Sequence, residues 1–439
     1  MKIINISNYM KRVILIFALF ITVLSCKKDN DSDGFVTNIT HRLSVKYDDF
    51  FGGKAAEGVN VKLTNLQNGQ IYTVKTDAQG KASVVISAGT YDISASISLS
   101  AEQMKRLFGE EKEASFNASL SKVTINAQQN AISELVLQTG KTGDLLIKQV
   151  YYVSSDNQKA AGFQWRDQFF EVHNNSNETI YLDNICFAQI HGWYNSFSKE
   201  NLDENGQIDW SKSPDLVGVG KDANTKFVYA YEIYAFPGNG TTYPLASGKS
   251  MIVAKTAMNH KAPLTIGGKK HEVPNPELTV DLSKAKFEVY LPNQENNTDI
   301  DNPAINMEVR YKINTLKDMV LNVQGRDAYV LFRATKAETD ALKVVQSPAM
   351  RGKKPDRKYL QIPVDIIIDG VGCQEANLPK RLPTNVDAGA LSSPKGAYSS
   401  ESAIRKETKR VGDKIFYQDT NNSTNDFIWI STPDVSSLN

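Results

Sequence analysis

The chain is poor in the residues from which reactive sites are most often built. It holds 3 cysteines and 5 histidines in 439 residues. Cys26 stands near the start, which leaves Cys186 and Cys373. One bridge between them is open, but two cysteines define no disulfide framework, and each reads better as a small buried apolar residue. His41, His173, His191, His260 and His271 show neither an HExxH motif nor paired ligand spacing. No G-x-S-x-G elbow occurs, and Ser247-Gly248-Lys249-Ser250 has the tail of a phosphate loop with Tyr243 where the opening glycine belongs. On these grounds no catalytic residue, metal site or cofactor is assigned. Charge of one sign is missing too. Lys and Arg number 50 against 49 Asp and Glu, which argues against a nucleic-acid partner, since that would want a basic field. Long apolar runs are also lacking. Val13 to Val23 is a run of 11, and a spanning helix needs roughly 20.

That short run has its own meaning. Lys11 and Arg12 precede it and Leu24-Ser25-Cys26 follows, the layout of a secretory signal over residues 1–25. The cysteine directly after a small residue resembles a bacterial lipobox, with Val23 where Leu is commonest. The resemblance implies cleavage after Ser25, acylation of Cys26 and an outer-membrane lipid anchor. Met10-Lys11-Arg12 is itself an ordinary signal-peptide start, so residues 1–9 are read as coming from an upstream start codon. Residues 26–39 then form a flexible acidic tether: Lys27-Lys28-Asp29-Asn30-Asp31-Ser32-Asp33-Gly34 has no apolar side chain to bury. Asp29-x-Asp31-x-Asp33-Gly34 copies the first half of a calcium loop, but Thr40 at the twelfth position cannot supply the bidentate carboxylate. The run resembles the acidic export signals of Bacteroidota lipoproteins, which implies exposure at the cell surface.

Composition and turn signals predict an all-β protein, and the resemblances given below imply two β-sandwich domains, immunoglobulin- or transthyretin-like, with a few short helices in insertions. Residues 40–138 make the first. Leu43, Val45 and Tyr47 alternate with polar residues, as do Val59, Val61 and Leu63. Asn68-Gly69 predicts a type I′ hairpin turn, and Thr76-Asp77-Ala78-Gln79-Gly80 a second turn. Ser100-x-x-Gln103 opens a helix with Met104, Leu107 and Phe108 on one side. The order G-V-x-V-x-L, T-D-x-x-G, A-G-T-Y-D resembles carboxypeptidase-regulatory-like sandwiches, where these residues are turns and core. That implies a stalk and spacer.

Residues 144–432 make the second domain, followed by a frayed polar tail at 433–439. Leu145 to Tyr152 reads as a buried strand. Phe170-Glu171-Val172-His173-Asn174-Asn175-Ser176, with Tyr181-Leu182-Asp183-Asn184, resembles the start of a lamin-tail sandwich. Leu245 to Ala254, Val364 to Val371 and Gln418 to Phe427 resemble its later strands. Together these segments resemble a Bacteroidota surface-lipoprotein family known as domain of unknown function 4876. The resemblance brings no activity. It implies an accessory role beside a TonB-dependent outer-membrane transporter, as a ligand- or partner-binding protein. A surface hydrolase built from loop carboxylates and a structural or adhesive protein are the alternatives.

Long insertions at 190–244 and 255–305 are where binding loops are expected. Trp193 and Tyr194 are the candidate ligand-binding residues, because aromatic faces can stack on sugars, peptides or planar ligands. Tyr229, Tyr231, Tyr234 and Phe236 fit an alternating core strand better. Asn201 to Asp209 copies a calcium loop up to position 12, where Lys212 stands in place of Glu. A polar turn is the better reading. A helix is predicted at 336–345 behind the capping box Thr335-x-x-Glu338, with Ala341, Leu342 and Val345 inward. Residues 346–358 and 379–415 are left as loops.

Overall fold

The computed structural model describes residues 38–109, 114–127, 132–140, 144–155, 166–190, 202–204, 206–266, 269–291, 300–313, 318–348, 358–375 and 378–439. The protein is all-β. Its first seven strands are β1 (Asn38–Tyr47), β2 (Asn60–Asn65), β3 (Ile71–Lys75), β4 (Lys81–Ser87), β5 (Gly89–Leu99), β6 (Ala114–Ile125) and β7 (Ile132–Gly140). They run in the order β3-β2-β5-β6-β7-β1-β4. β7 changes partner along its length. Ile132 to Leu137 pair parallel with β1, whereas Gln138 to Gly140 pair antiparallel with β6. The alternating residues read from the sequence meet in one core containing Leu43, Val45, Leu63, Tyr91, Phe116 and Leu135.

Local chemistry explains the connections. Asp77 accepts from the backbone of Gln79 (2.9 Å) and Lys81 (2.8 Å), which closes the T-D-x-x-G turn. Gly80 has φ +69°, and a Cβ there would stand 2.2 Å from the Val45 carbonyl oxygen, so only glycine fits. The Asn68-Gly69 turn differs from expectation. Asn65 N–H donates to Gln70 O across a four-residue loop, and Gly69 has positive φ while Asn68 does not. A type I′ turn needs both; here the Asn65 side chain accepts from Gln67 and Asn68 and fixes a wider loop. The helix Ala101–Phe108 has its capping box, buries Met104 and ends at left-handed Gly109.

The remaining strands are β8 (Leu145–Tyr151), β9 (Phe169–Asn174), β10 (Ile180–Tyr181), β11 (Ile185–Ile190), β12 (Phe227–Ala235), β13 (Pro244–Leu245), β14 (Ser250–Ala254), β15 (Leu264–Ile266), β16 (Lys269–His271), β17 (Phe287–Glu288), β18 (Ile305–Asn306), β19 (Glu308–Lys312), β20 (Arg326–Arg333), β21 (Val344–Gln346), β22 (Lys358–Pro363), β23 (Ile367–Gln374), β24 (Ser402–Arg405), β25 (Glu407–Val411), β26 (Lys414–Tyr417) and β27 (Phe427–Ile430). One sheet has the order β18-β17-β14-β9-β8-β24-β27. The other runs β21-β22-β12-β11-β20-β23, with β19 also on β12. Between them lies the largest core, where Phe170 and Phe187 stack with centroids 3.7 Å apart. The opposite face of the second sheet carries Cys186, Ala188, Val228, Ala230 and Phe332 against Leu382 and Val386. β8, β9 and β11 are buried at every position, as strands covered on both faces must be.

Several boundaries differ from the sequence reading. The span 190–244 is not one insertion, because β12 runs through the middle of a sheet. The capped helix covers only Lys336–Asp340, and Val345 is buried on β21 instead. Pairing with β22 takes over the chain there. Val364–Ile366 form a short 3-10 turn before β23, and Ser423–Asp426 form one helical turn before β27. Residues 402–417, left as loop or unassigned, contain β24 and the β25–β26 hairpin. Nor is the tail frayed. Gln149 exchanges bonds with the Asp434 backbone (2.8 and 3.2 Å), and Val435 and Leu438 pack on the main core.

The N-terminal strands are packed against the later ones rather than held away as a spacer. Lys380 donates to Ser119 Oγ (2.8 Å), Asn117 donates to the Thr420 carbonyl, and Asn425 donates to Ser96 Oγ (3.2 Å). This contact explains why polar Asn117 on β6 is buried.

Candidate functional site

Of the residues singled out from sequence, Cys26, Trp193 and Tyr194 lie outside the described residues, as do the basic run 351–357 and His191. The other insertion aromatics are core. Tyr234 and Phe236 face the space between the sheets, and Tyr229 stacks on Trp210 at 3.6 Å in a separate apolar cluster. Asp203 accepts from Gln207 N (2.9 Å) and Asn224 Nδ2 (2.7 Å), beside a bridge between Leu202 and Ile208. That is a tight polar turn. Lys212 lies 3.1 Å from Asp209, so a cation neutralises the carboxylate that a calcium loop would use.

Carboxylates do converge, at the end of the sandwich where β11 leaves the second sheet. The β11–β12 register passes from Gln189↔Glu232 to Ile190↔Ala230, which leaves Tyr231 as the extra residue of a bulge. The bulge turns the Tyr231 hydroxyl to within 2.7 Å of Gln189 Oε1 and 2.8 Å of Asp327 Oδ2. A phenol has one proton and cannot serve both acceptors. The hydroxyl therefore donates to one of the two at a time, and burial raises the Asp327 carboxyl to about 7. Glu232 accepts from Lys312 (2.6 Å), from Tyr234 and from Gln189 Nε2 (3.2 Å). Glu232 is 0% exposed and Asp327 1%. These acids answer protein donors, and a glycosidase-type pair must instead reach a substrate.

A second cluster faces a surface groove of about 550 Å³. Ser250 and His173 are cross-strand partners on β14 and β9, with Ser250 Oγ 2.8 Å from His173 Nδ1 and Nε2 2.9 Å from the Ile415 carbonyl. A carbonyl only accepts, so Nε2 carries the proton and Nδ1 accepts from Ser250. That is the hydrogen-bond order of a nucleophile and base. The base is weak, however: burial, with Lys148 and Arg405 nearby, lowers His173 to about 4, far from the neutral range that general-base catalysis favours. Beside it Lys148 and Glu171 form a buried ion pair at 2.9 Å. The histidine clamps the β25–β26 hairpin to the sheet.

Two remaining sequence motifs are structural. Asp183 of Y-L-D-N accepts from the backbone of Gly240, Thr242 and Tyr243 (3.1, 2.8 and 2.8 Å) and shapes one loop. Cys186 and Cys373 are free and buried on opposite faces of the second sheet. What sequence reasoning missed is the cleft between the two sets of strands, where Lys62, Asp92, Ser119 and Lys380 stand among apolar residues such as Leu66, Leu120 and Leu378. Its one sequence signal is the serines of β5 and β6 that line it, Ser94, Ser119 and Ser121.

Fold and site together define an all-β, sandwich-type protein whose polar clusters are largely self-satisfied. Residues 246–434 match the model of DUF4876, a family of unknown function, and bear out the resemblance carried by the strand motifs. Among solved structures the chain is similar to a DUF4876 family protein from Bacteroides thetaiotaomicron VPI-5482. The two are 24% identical, with 89% of this chain and 94% of that one covered and a TM-score of 0.49. It is similar also to a candidate adhesin from Bacteroides ovatus ATCC 8483, at 9% identity, 85% and 95% coverage and a TM-score of 0.19. No curated protein matches.

Proposed function

We propose that this chain is a lipid-anchored protein of the outer-membrane surface that binds a ligand or partner beside a TonB-dependent transporter, without catalysis. The observation that carries the reading is Leu24-Ser25-Cys26 behind a short apolar run, followed by the apolar-free run Lys27–Gly34 ahead of the first strand. The sealed state of Glu232 and Asp327 and the weak base at His173 support binding over hydrolysis. A crosslinked pull-down from outer membranes is the test, with alkynyl-palmitate labelling alongside. A stoichiometric barrel and labelling lost in Cys26→Ala are expected. Labelling that survives Cys26→Ala removes the anchor, and no stoichiometric partner removes the transport role.

A surface hydrolase is the second reading, favoured by the Ser250–His173 bond. Fluorophosphonate labelling abolished by Ser250→Ala would establish it.

A further inference from the structure

The second sheet ends in a groove of about 470 Å³, where the turn Val364–Ile366 carries the chain from β22 to β23 beside the start of β12. That volume lies within the roughly 300–1,000 Å³ of small-molecule sites. Phe227, Pro363, Val364, Ile368 and Val386 give the groove apolar walls, and the walls are held in place. Val364 N–H donates to the Lys226 carbonyl (2.9 Å), and Phe227 pairs with Pro363 across β12 and β22. A Cβ on Gly370 would stand 2.5 Å from Val386 Cγ1, so the chain at Val386 lies close on β23.

The charged members of the lining are already answered. Asp369 holds Arg405 through both oxygens (2.8 Å each), Lys226 lies 2.7 Å from Asp222, and Asp365 is exposed and engaged elsewhere. Thr225 donates its hydroxyl to the Lys221 carbonyl (3.2 Å). Two amides remain. Asn421 is 6% exposed, and among the described residues its Nδ2 has no hydrogen-bond partner; nor has Oδ1 of Asn385. Asn421 stands at φ +52°, which glycine would meet as well, so the backbone does not by itself call for an amide. Buried polar atoms are as a rule paired, and terminal amide torsions are broad enough to turn the open atoms to the groove. What lacks a partner is thus one donor and one acceptor. A carboxylate or an ammonium would find no counter-charge to spare. A sugar ring would bring more hydroxyls than two open atoms can meet.

We infer that this groove binds a neutral ligand with a secondary amide on an aliphatic body, as in an apolar residue of a peptide. Its N–H donates to Asn385 Oδ1, its carbonyl accepts from Asn421 Nδ2, and its aliphatic group lies against Phe227, Val364 and Ile368. The assignment rests on the reading of this chain as a binding protein and names the ligand class. Saturation-transfer NMR on the full chain in lipid nanodiscs tests it, with empty nanodiscs as the blank. N-acetyl-leucinamide is the probe, and N-acetylglucosamine, glucose and acetate are the comparisons. Saturable transfer to the leucinamide is expected, with an affinity roughly fivefold or more above each comparison. Asn421→Gly keeps the left-handed backbone and removes the amide. It should weaken binding about fivefold or more with the unfolding midpoint little changed, and Asn385→Ala serves if that variant does not fold. Absence of saturable transfer overturns the site, as does indifference to both variants. N-acetylglucosamine binding as tightly as the leucinamide overturns the aliphatic assignment. A barrel recovered in the pull-down alongside a silent spectrum would leave the surface-accessory reading standing and remove only this groove.

Discussion

Arg405 and Asp369 meet through two hydrogen bonds of 2.8 Å, with both side chains buried, and so tie β24 of one sheet to β23 of the other. Arg405 also donates to the Ile147 carbonyl (2.9 Å) and lies 3.3 Å from Asp426. Removing one partner of such a pair leaves an uncompensated buried charge. Arg405→Ala should cost about 3–5 kcal/mol in denaturant unfolding. A loss below about 1 kcal/mol would mean that the pair behaves as a surface contact.

The buried thiols give a second expectation. Burial pushes Cys186 up to about 12 and Cys373 well above the ordinary thiol range, so neither is a nucleophile near neutrality. In folded protein both should resist an aromatic disulfide reagent and react once denatured. Reducing agent should leave the unfolding midpoint unchanged, whereas a drop would reveal a bridge.

Asp327 makes stability depend on pH in a defined direction. Its folded pKa, about 7, lies above the ordinary aspartate value of 3.8. The native state therefore holds the proton more tightly, and this group's contribution is complete below about pH 4 and declines as pH rises toward 7. His173, lowered to about 4, acts oppositely: its contribution grows as pH rises from about 4 to 6.5. Asp327→Asn should remove the first dependence. The variant should gain stability relative to the parent at pH 8 compared with pH 4, as followed by thermal melts. A difference that stays flat with pH would show that Asp327 is ionised throughout.

Gly80 offers a test confined to the backbone. Gly80→Ala places a methyl group against the Val45 carbonyl at a positive φ, and the cost should be about 2 kcal/mol or more. Gly69→Ala has the same sign of φ and nothing within 4 Å, so it should cost less. Equal losses at the two sites would mean that the close approach at Val45 is relieved by movement.

The strand pattern was legible because burial writes itself into sequence at a period of two. Leu43-x-Val45-x-Tyr47 and Val59-x-Val61-x-Leu63 point inward as expected. Ser100-x-x-Gln103 and Thr335-x-x-Glu338 both cap helices, since a cap involves only four residues. Where the helix after Thr335 ends was not legible. That depends on β22, which claims Val344 to Gln346 as its partner. Asn68-Gly69 misled for a similar reason: the Asn65 side chain, three positions upstream, sets the loop. Lys380 and Ser119, 261 positions apart, carry no local signal of their meeting, so the cleft was invisible to a reading by neighbours. Gln189, Tyr231 and Asp327 converge only because of a bulge, which sequence does not announce.

The pairing of β8 with β24 also sets a timetable. Arg405 reaches back to the Ile147 carbonyl across 258 positions, and β27 joins the same sheet through β24. Contacts of such range are slow to form, because loop-closure entropy is lost before they repay it. While the ribosome is still making the chain, β8 and β9 have a hairpin partner in each other and an open edge awaiting β24. The second sandwich cannot close until almost the whole polypeptide has emerged. Folding of this half therefore stays incomplete until its final strands are made.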